Sequence, residues 1–290
     1  MPVFATPGPI AVTVQVAMGR IEIAATDRTD TAVEVRPSNA SKKGDVTAAE
    51  QARVEFADGR LVVRTSKGWG KYTFWGPKES VDVRIELPAG SHLTSELGTG
   101  TLKTTGVLGD VNATVGAGDI QMEDSGPVHL RTGFGDITAG SVGALQISTG
   151  SGQIHVGAVN GPGVIKNANG NCWVGTVTGD LRVVSANGRI TVGEARETVT
   201  AKTANGDIEI GGAAHGAVVA ETAAGSVEIG VLEGVAAWLD VHTSFGTVRN
   251  DLRAGGEPGA GEGSVDIKAR TAYGDITIHR TPARSGTAAS

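Results

Sequence analysis

The chain has 290 residues, 39% of them hydrophobic but only 4% aromatic, with 44 glycines, a single cysteine and a net charge of −6. Glycine at roughly twice its usual share, without a three-residue period and with apolar residues recurring regularly between the glycines, excludes both collagen and a disordered Gly-rich chain. The acidic balance argues against nucleic acid or an anionic membrane as a partner, and lone Cys172 excludes an intramolecular disulfide framework or a Cys-based zinc cluster.

In chain order, the first 16 residues carry neither a basic leader nor a long apolar stretch, and nowhere do 18 apolar residues run together. The expectation is a soluble, cytoplasmic protein without an integral membrane segment. Surface exposure stays open if the sequence is a trimmed piece of a longer chain or is exported by a route that leaves no such signal. Strand candidates then fall at 10–16, 21–23, 32–36, 54–56, 61–64 and 81–87. They share no common period, so residues 1–90 are expected to be a β-rich cap on the repeats that begin at residue 91. Within them, residues 67–78 stand out in an aromatic-poor chain. Trp69, Tyr72, Phe74 and Trp75 are four of its eleven aromatics, interleaved with Lys67, Lys71 and Lys78. Such a hairpin serves either as a lid over an open sheet end or as a contact for a protein or polymer partner. Lys67, Trp69, Lys71, Tyr72, Phe74 and Trp75 are the candidate partner-binding residues.

From residue 91 to 280 the chain repeats. A glycine followed by one polar residue and then an apolar one recurs at Gly100, Gly118, Gly135, Gly152, Gly170, Gly188, Gly206, Gly225, Gly246 and Gly274. The spacings are 18, 17, 17, 18, 18, 18, 19, 21 and 28. Two residues before each of these glycines the side chain is small, from Gly98 to Ala272. Three before it stands a short polar residue in eight units, such as Thr132, Asn167 and Thr222, while Leu97 and Val115 depart.

The alternating segment after each glycine is a strand with one buried face, too short to be stable alone. No stretch has helical spacing long enough for a crossover helix. The fold this predicts is all-β: a parallel β-helix of about ten coils of about 18 residues, whose stacked rungs would span about 48 Å at the usual strand spacing. Ile120, Ile137, Ile154, Cys172, Ile190 and Ile208 should form an inward column. Residues 255–263 read as an inserted loop and residues from 281 as a disordered tail.

Three stretches carry a family likeness. They are Gly19-Arg20-Ile21-Glu22-Ile23, the segment from Ser80 to Gly90 (SVDVRIELPAG), and the Thr-Ala-Asn-Gly-Asp-Ile unit at 203–208. On these the chain resembles, over roughly residues 10–280, a bacterial family of β-solenoid domains of unknown function known as putative adhesins. The resemblance implies the solenoid fold, together with general precedent a right-handed coil, and an adhesin-like role at a surface.

Candidate chemistry is sparse. Asp119, Asp136, Asp207 and Asp275 come directly after key glycines and would make a calcium column, but Gln153, Asn171, Arg189, Ser226 and Thr247 interrupt it, which favours plain turn residues. The six histidines lack metal-ligand spacing, and the repeat region's aromatics, Phe134, Trp173, Trp238, Phe245 and Tyr273, are scattered. No nucleophile elbow or P-loop is present. The expectation is therefore a non-catalytic structural or adhesin-like module without cofactor or metal, open to self-association through its ends. The alternatives are a module that recruits a partner through residues 67–78 and, remotely, a carbohydrate-active β-helix enzyme.

Overall fold

A strand that buries only one face must share its core with neighbours, and in the computed structural model the shared core is built by stacking. The structure describes residues 2–65, 79–252 and 263–282. These fall into two units, Met1–Gly152 and Gln153–Ser290. Both are made of parallel β-coils, and the helix Lys43–Glu50 is the one helix among the described residues. The fold is the expected parallel β-helix.

In the first unit, the 16-residue strand Ala11–Thr26 lies parallel to His92–Leu108 along its length, with Gly19 opposite Gly100 and Ile21 opposite Leu102. From there Leu102 meets Ile120, and Ile120 meets Ile137. All four of these apolar side chains are fully buried. A second column runs Val12, Leu93, Val111, Val128, Leu145. Residues 11–26 thus occupy a rung in the register of the later repeats. The outermost rung is formed by the later segments Arg60–Arg64 and Val81–Pro88, which pair with the other edge of Ala11–Thr26. Their own outer edges carry antiparallel strands: Arg53–Ala57 through an Asp58-Gly59 turn with positive φ at both residues, and Asp30–Pro37. Phe4, on a strand antiparallel to residues 30–32, stacks on Phe56 at 5.0 Å.

The helix Lys43–Glu50 comes after the strand Asp30–Pro37. Its buried Asp45 carboxylate takes the Lys42 ammonium at 2.7 Å and the Ser80 backbone N–H at 3.0 Å. The start of this helix carries little sequence signal, because no side chain caps it and its apolar face is weak.

In the second unit the inward column runs Ile154, Cys172, Ile190, Ile208, Val227, each opposite the next. Val227 then pairs not with Val248 but with Ile276, and Ile276 pairs with Val248. The strands Ser264–Tyr273 and Ile276–Thr281 are therefore slotted between Gly216–Ala224 with Val227–Leu232 on one side and Ala236–Phe245 with Val248–Asn250 on the other. Rung order departs from chain order, a swap that the 21- and 28-residue spacings leave open. The expected loop at 255–263 and the expected tail from 281 lie almost entirely outside the described residues.

The repeat columns have separate physical causes. At every key glycine but Gly246 the chain turns with positive φ, +134° at Gly188, and a Cβ there would stand 2.2 Å from the Gly170 carbonyl oxygen of the coil beside it. Two residues earlier the first unit uses glycine because the coils approach closely; a Cβ on Gly116 would lie 2.4 Å from the Gly98 oxygen. Three residues before the key glycine, buried hydroxyls donate to corner carbonyls. Thr132 reaches Gly118 O at 3.1 Å, and Thr222 and Thr271 reach Gly206 O and Gly225 O at 2.9 Å. Asn167 donates its amide to Gly170 O at 2.9 Å, while the Ser185 hydroxyl in the same column finds no partner among the described residues. A buried carbonyl left unpaired costs about 1–3 kcal/mol, so a short polar side chain is favoured in an otherwise aliphatic interior.

This packing sets three expected outcomes. Gly188→Ala should lower the unfolding free energy in urea by about 3 kcal/mol, since both conformation and a backbone collision oppose it, whereas Gly8→Ala, which meets open space, should change it by less than about 0.5 kcal/mol. Equal effects would remove the corner as the cause. Lys42 first, then the Ser80 N–H, hold the Asp45 carboxyl below its ordinary range. With the folded pKa depressed, the stabilisation is complete above the unfolded value near 4 and fades as the pH falls through the folded one, so Asp45→Asn should flatten the acid limb of a pH–stability curve below about pH 4. Burial pushes the Cys172 thiol up, against a smaller opposing effect of the Asn167 amide. A thiol reagent should therefore label Cys172 only on unfolding, and rapid labelling of the native chain would contradict its place in the core.

Candidate functional site

Outward positions repeat as faithfully as inward ones, so surface chemistry is arranged in lines along the coils. In the second unit the residue before each key glycine forms one such line. The Asn187 amide donates to Asn169 Oδ1, and the Asn205 amide to Asn187 Oδ1, both at 2.9 Å. Beyond Ala224, the same line continues through Tyr273 and Phe245, in the swapped rung order. The two rings stack at 5.0 Å with their planes 7° apart, and both remain largely exposed, 60% for Tyr273 and 66% for Phe245.

Beside this line runs a groove of about 550 Å³. Its floor is the small-residue column, here Ala223, Ala272 and Ser244, and one side carries Lys202, Glu221, Arg270 and His242. The Lys202 ammonium meets Glu221 at 2.7 Å, and Arg270 meets Asp240 at 3.2 Å. Such exposed pairs contribute little to stability, about 0–1 kcal/mol each, and stay available to an incoming polar group. A second outward line brings His155 onto Trp173, rings 4.0 Å apart and nearly parallel.

The aspartates after the key glycines are occupied. Asp119 Oδ1 accepts the Asp136 N–H and Asp207 Oδ1 the Ser226 N–H, both at 2.9 Å, and Asp275 Oδ1 accepts the Thr247 N–H at 2.8 Å. Asn171 does the same for Arg189 at 3.0 Å. The Ser226 N–H, then Arg189, hold the Asp207 carboxyl below its ordinary range. These side chains carry the ladder of hydrogen bonds across the corner, which explains why Asp or Asn recurs there. Among the described residues no three His, Cys, Asp or Glu side chains are placed to hold a metal ion, and no helix is long and apolar enough to cross a membrane.

The candidate partner-binding residues Lys67, Trp69, Lys71, Tyr72, Phe74 and Trp75 lie outside the described residues. Of the repeat-region aromatics that the sequence shows as scattered, the structure brings Tyr273 and Phe245 together, leaving Phe134 and Trp238 exposed. Their 28-residue separation hides the pairing, and only the swapped rung order reveals it.

No curated protein matches the chain. Among solved structures, a putative adhesin of Bacteroides fragilis is 11% identical with a TM-score of 0.34, covering 96% of this chain and 95% of that one. A putative adhesin of Parabacteroides merdae is 12% identical with a TM-score of 0.39, covering 78% and 93%. A putative cell adhesion protein of Clostridium sporogenes is 10% identical with a TM-score of 0.18, covering 97% and 98%. The model of the Toastrack DUF4097 family matches residues 11–279, nearly the whole described chain, with Gly19-Arg20-Ile21 near its start and the coils to Ile278 within it. The chain belongs to the Toastrack DUF4097 family.

Proposed function

We infer that the protein is a non-catalytic, adhesin-like interaction module that holds an extended polymer, a polysaccharide or an open polypeptide, along its outward lines. The observation that supports this most directly is the exposed Tyr273–Phe245 stack at the head of the Asn169–Asn187–Asn205 amide line, alongside a shallow charged groove. Amides supply paired donors and acceptors at the strand spacing, and flat rings supply desolvated contact area. A hydrolase or lyase would need carboxylates or a base converging on one bond. The carboxylates at the corners instead accept backbone N–H groups, Glu221 on the groove wall pairs with Lys202, and Asp240 pairs with Arg270.

A second contact is proposed at residues 67–78, on the sequence observation that four aromatics and three lysines cluster between the strands Arg60–Arg64 and Val81–Pro88. Retention of the full chain on a panel of immobilised bacterial polysaccharides and peptidoglycan tests both contacts. Replacing Tyr273 and Phe245 together by Ala should weaken retention about tenfold or more with the thermal midpoint unchanged. Loss on Trp69→Ala with Trp75→Ala instead would move the site to residues 67–78. Retention indifferent to all four substitutions would sink both, and release of shortened polymer would replace the binding module with an enzyme.

A further inference from the structure

Among the described residues, the outermost rung of the second unit has one edge without a partner strand: Ala236–Phe245 pairs with Ser264–Tyr273 on its inner side and with no described strand on the other. The core columns end there partly uncovered. Leu239 and Val241 are only half-buried, where Ile267 and Ala269 one rung in are 2% and 0% exposed, and Val248 is 41% exposed against 0% for Ile276. Long open edges of this kind are normally blunted by charge, proline or a covering segment. The outermost rung of the first unit is blunted, by the antiparallel strands Arg53–Ala57 and Asp30–Pro37.

The sequence of the open strand is self-complementary. In an antiparallel pairing of two copies centred on Val241, residues whose numbers are symmetric about 241 stand opposite one another on the same face. Inward, Val241 then meets Val241 and Leu239 meets Thr243, closing the exposed columns. Outward, Asp240 meets His242 twice, once on each side of the centre, and Trp238 meets Ser244. Arg270, already 3.2 Å from Asp240, lies one strand back and adds positive charge behind the same carboxylate. A slip of one residue in register would set inward side chains against outward ones. A slip of two would centre the pair on Asp240 or on His242, so that a titratable group faces its own copy.

We propose that the edge of Ala236–Phe245 is a two-fold interface, on which a second copy of this chain pairs antiparallel about Val241 and extends the sheet. Both copies use the same strand edge, so the contact is isologous: it closes as a dimer and does not propagate into a filament. The groove floored by Ala223, Ala272 and Ser244 would then end at Trp238 of the second copy, which stands opposite Ser244 in this register and would meet a polymer bound along the groove. The interface does not depend on what that polymer is.

Sedimentation velocity of the full chain, from low micromolar to several hundred micromolar at physiological salt, should show a monomer passing to a dimer and nothing larger. His242→Asp leaves the Asp240–Arg270 pair intact but sets like charges opposite one another, and should weaken dimerisation about tenfold. Adding Asp240→Lys to it sets a lysine opposite each introduced aspartate and should restore the dimer. Circular dichroism confirms that each variant is folded. A monomer at every concentration, growth beyond the dimer, indifference to His242→Asp, or a folded double variant that stays monomeric would each overturn the proposal.

Discussion

Coils that stack at the spacing of hydrogen-bonded strands leave about 4.8 Å for everything that lies between one backbone and the next. At a flat stretch of strand this is enough, because side chains project in or out of the wall. At a corner the Cβ direction points along the stack, into the carbonyl of the coil beside it, and only glycine fits: a Cβ on Gly118 would approach the Gly100 oxygen to 1.7 Å. The corner glycines therefore set the period, the period sets the register, and the register places Ile190 over Cys172 and Ile208 over Ile190. Burial is completed between coils, which is how a chain with few aromatics still encloses side chains such as Leu102, Ile120 and Ile137 without exposed surface.

That dependence explains what is legible in the sequence. A constraint repeated in every coil leaves a column of identical or similar residues, so the corner glycines, the inward aliphatic line and the short polar residue beneath each corner can all be read from spacing alone. The role of the polar residue cannot, since a threonine donating to a carbonyl in the neighbouring coil looks the same in sequence as one facing water. Departures from the column carry information too. Leu97 and Val115 replace the polar residue in the first coils and simply extend the line begun by Val16.

What periodicity hides is whatever happens only once. The helix Lys43–Glu50 has eight residues and a weak apolar face, and it is held through Asp45 by Ser80, from the far side of residues 66–78. The place of residues 11–26 as a rung is masked because its partner strand lies 81 residues away, from Ala11 to His92. The Tyr273–Phe245 stack is likewise a product of rung order and not of spacing. The surface that best suits recognition thus arises where periodicity breaks, while the regular coils supply a rigid frame for it.

Rung order also bears on how the molecule is made. During synthesis Ala236–Phe245 leaves the ribosome before Ser264–Tyr273, yet its level in the stack is defined by contact with that later strand. In the first unit Ala11–Thr26 emerges early and must wait for Arg60–Arg64, Val81–Pro88 and His92–Leu108 before either of its edges is satisfied. The regular coils can assemble vectorially, each on its predecessor, but Ala11–Thr26 and Ala236–Phe245 are placed only by contact with segments distant in the nascent chain. The slow, aggregation-exposed steps of folding are therefore concentrated where the coils are sealed.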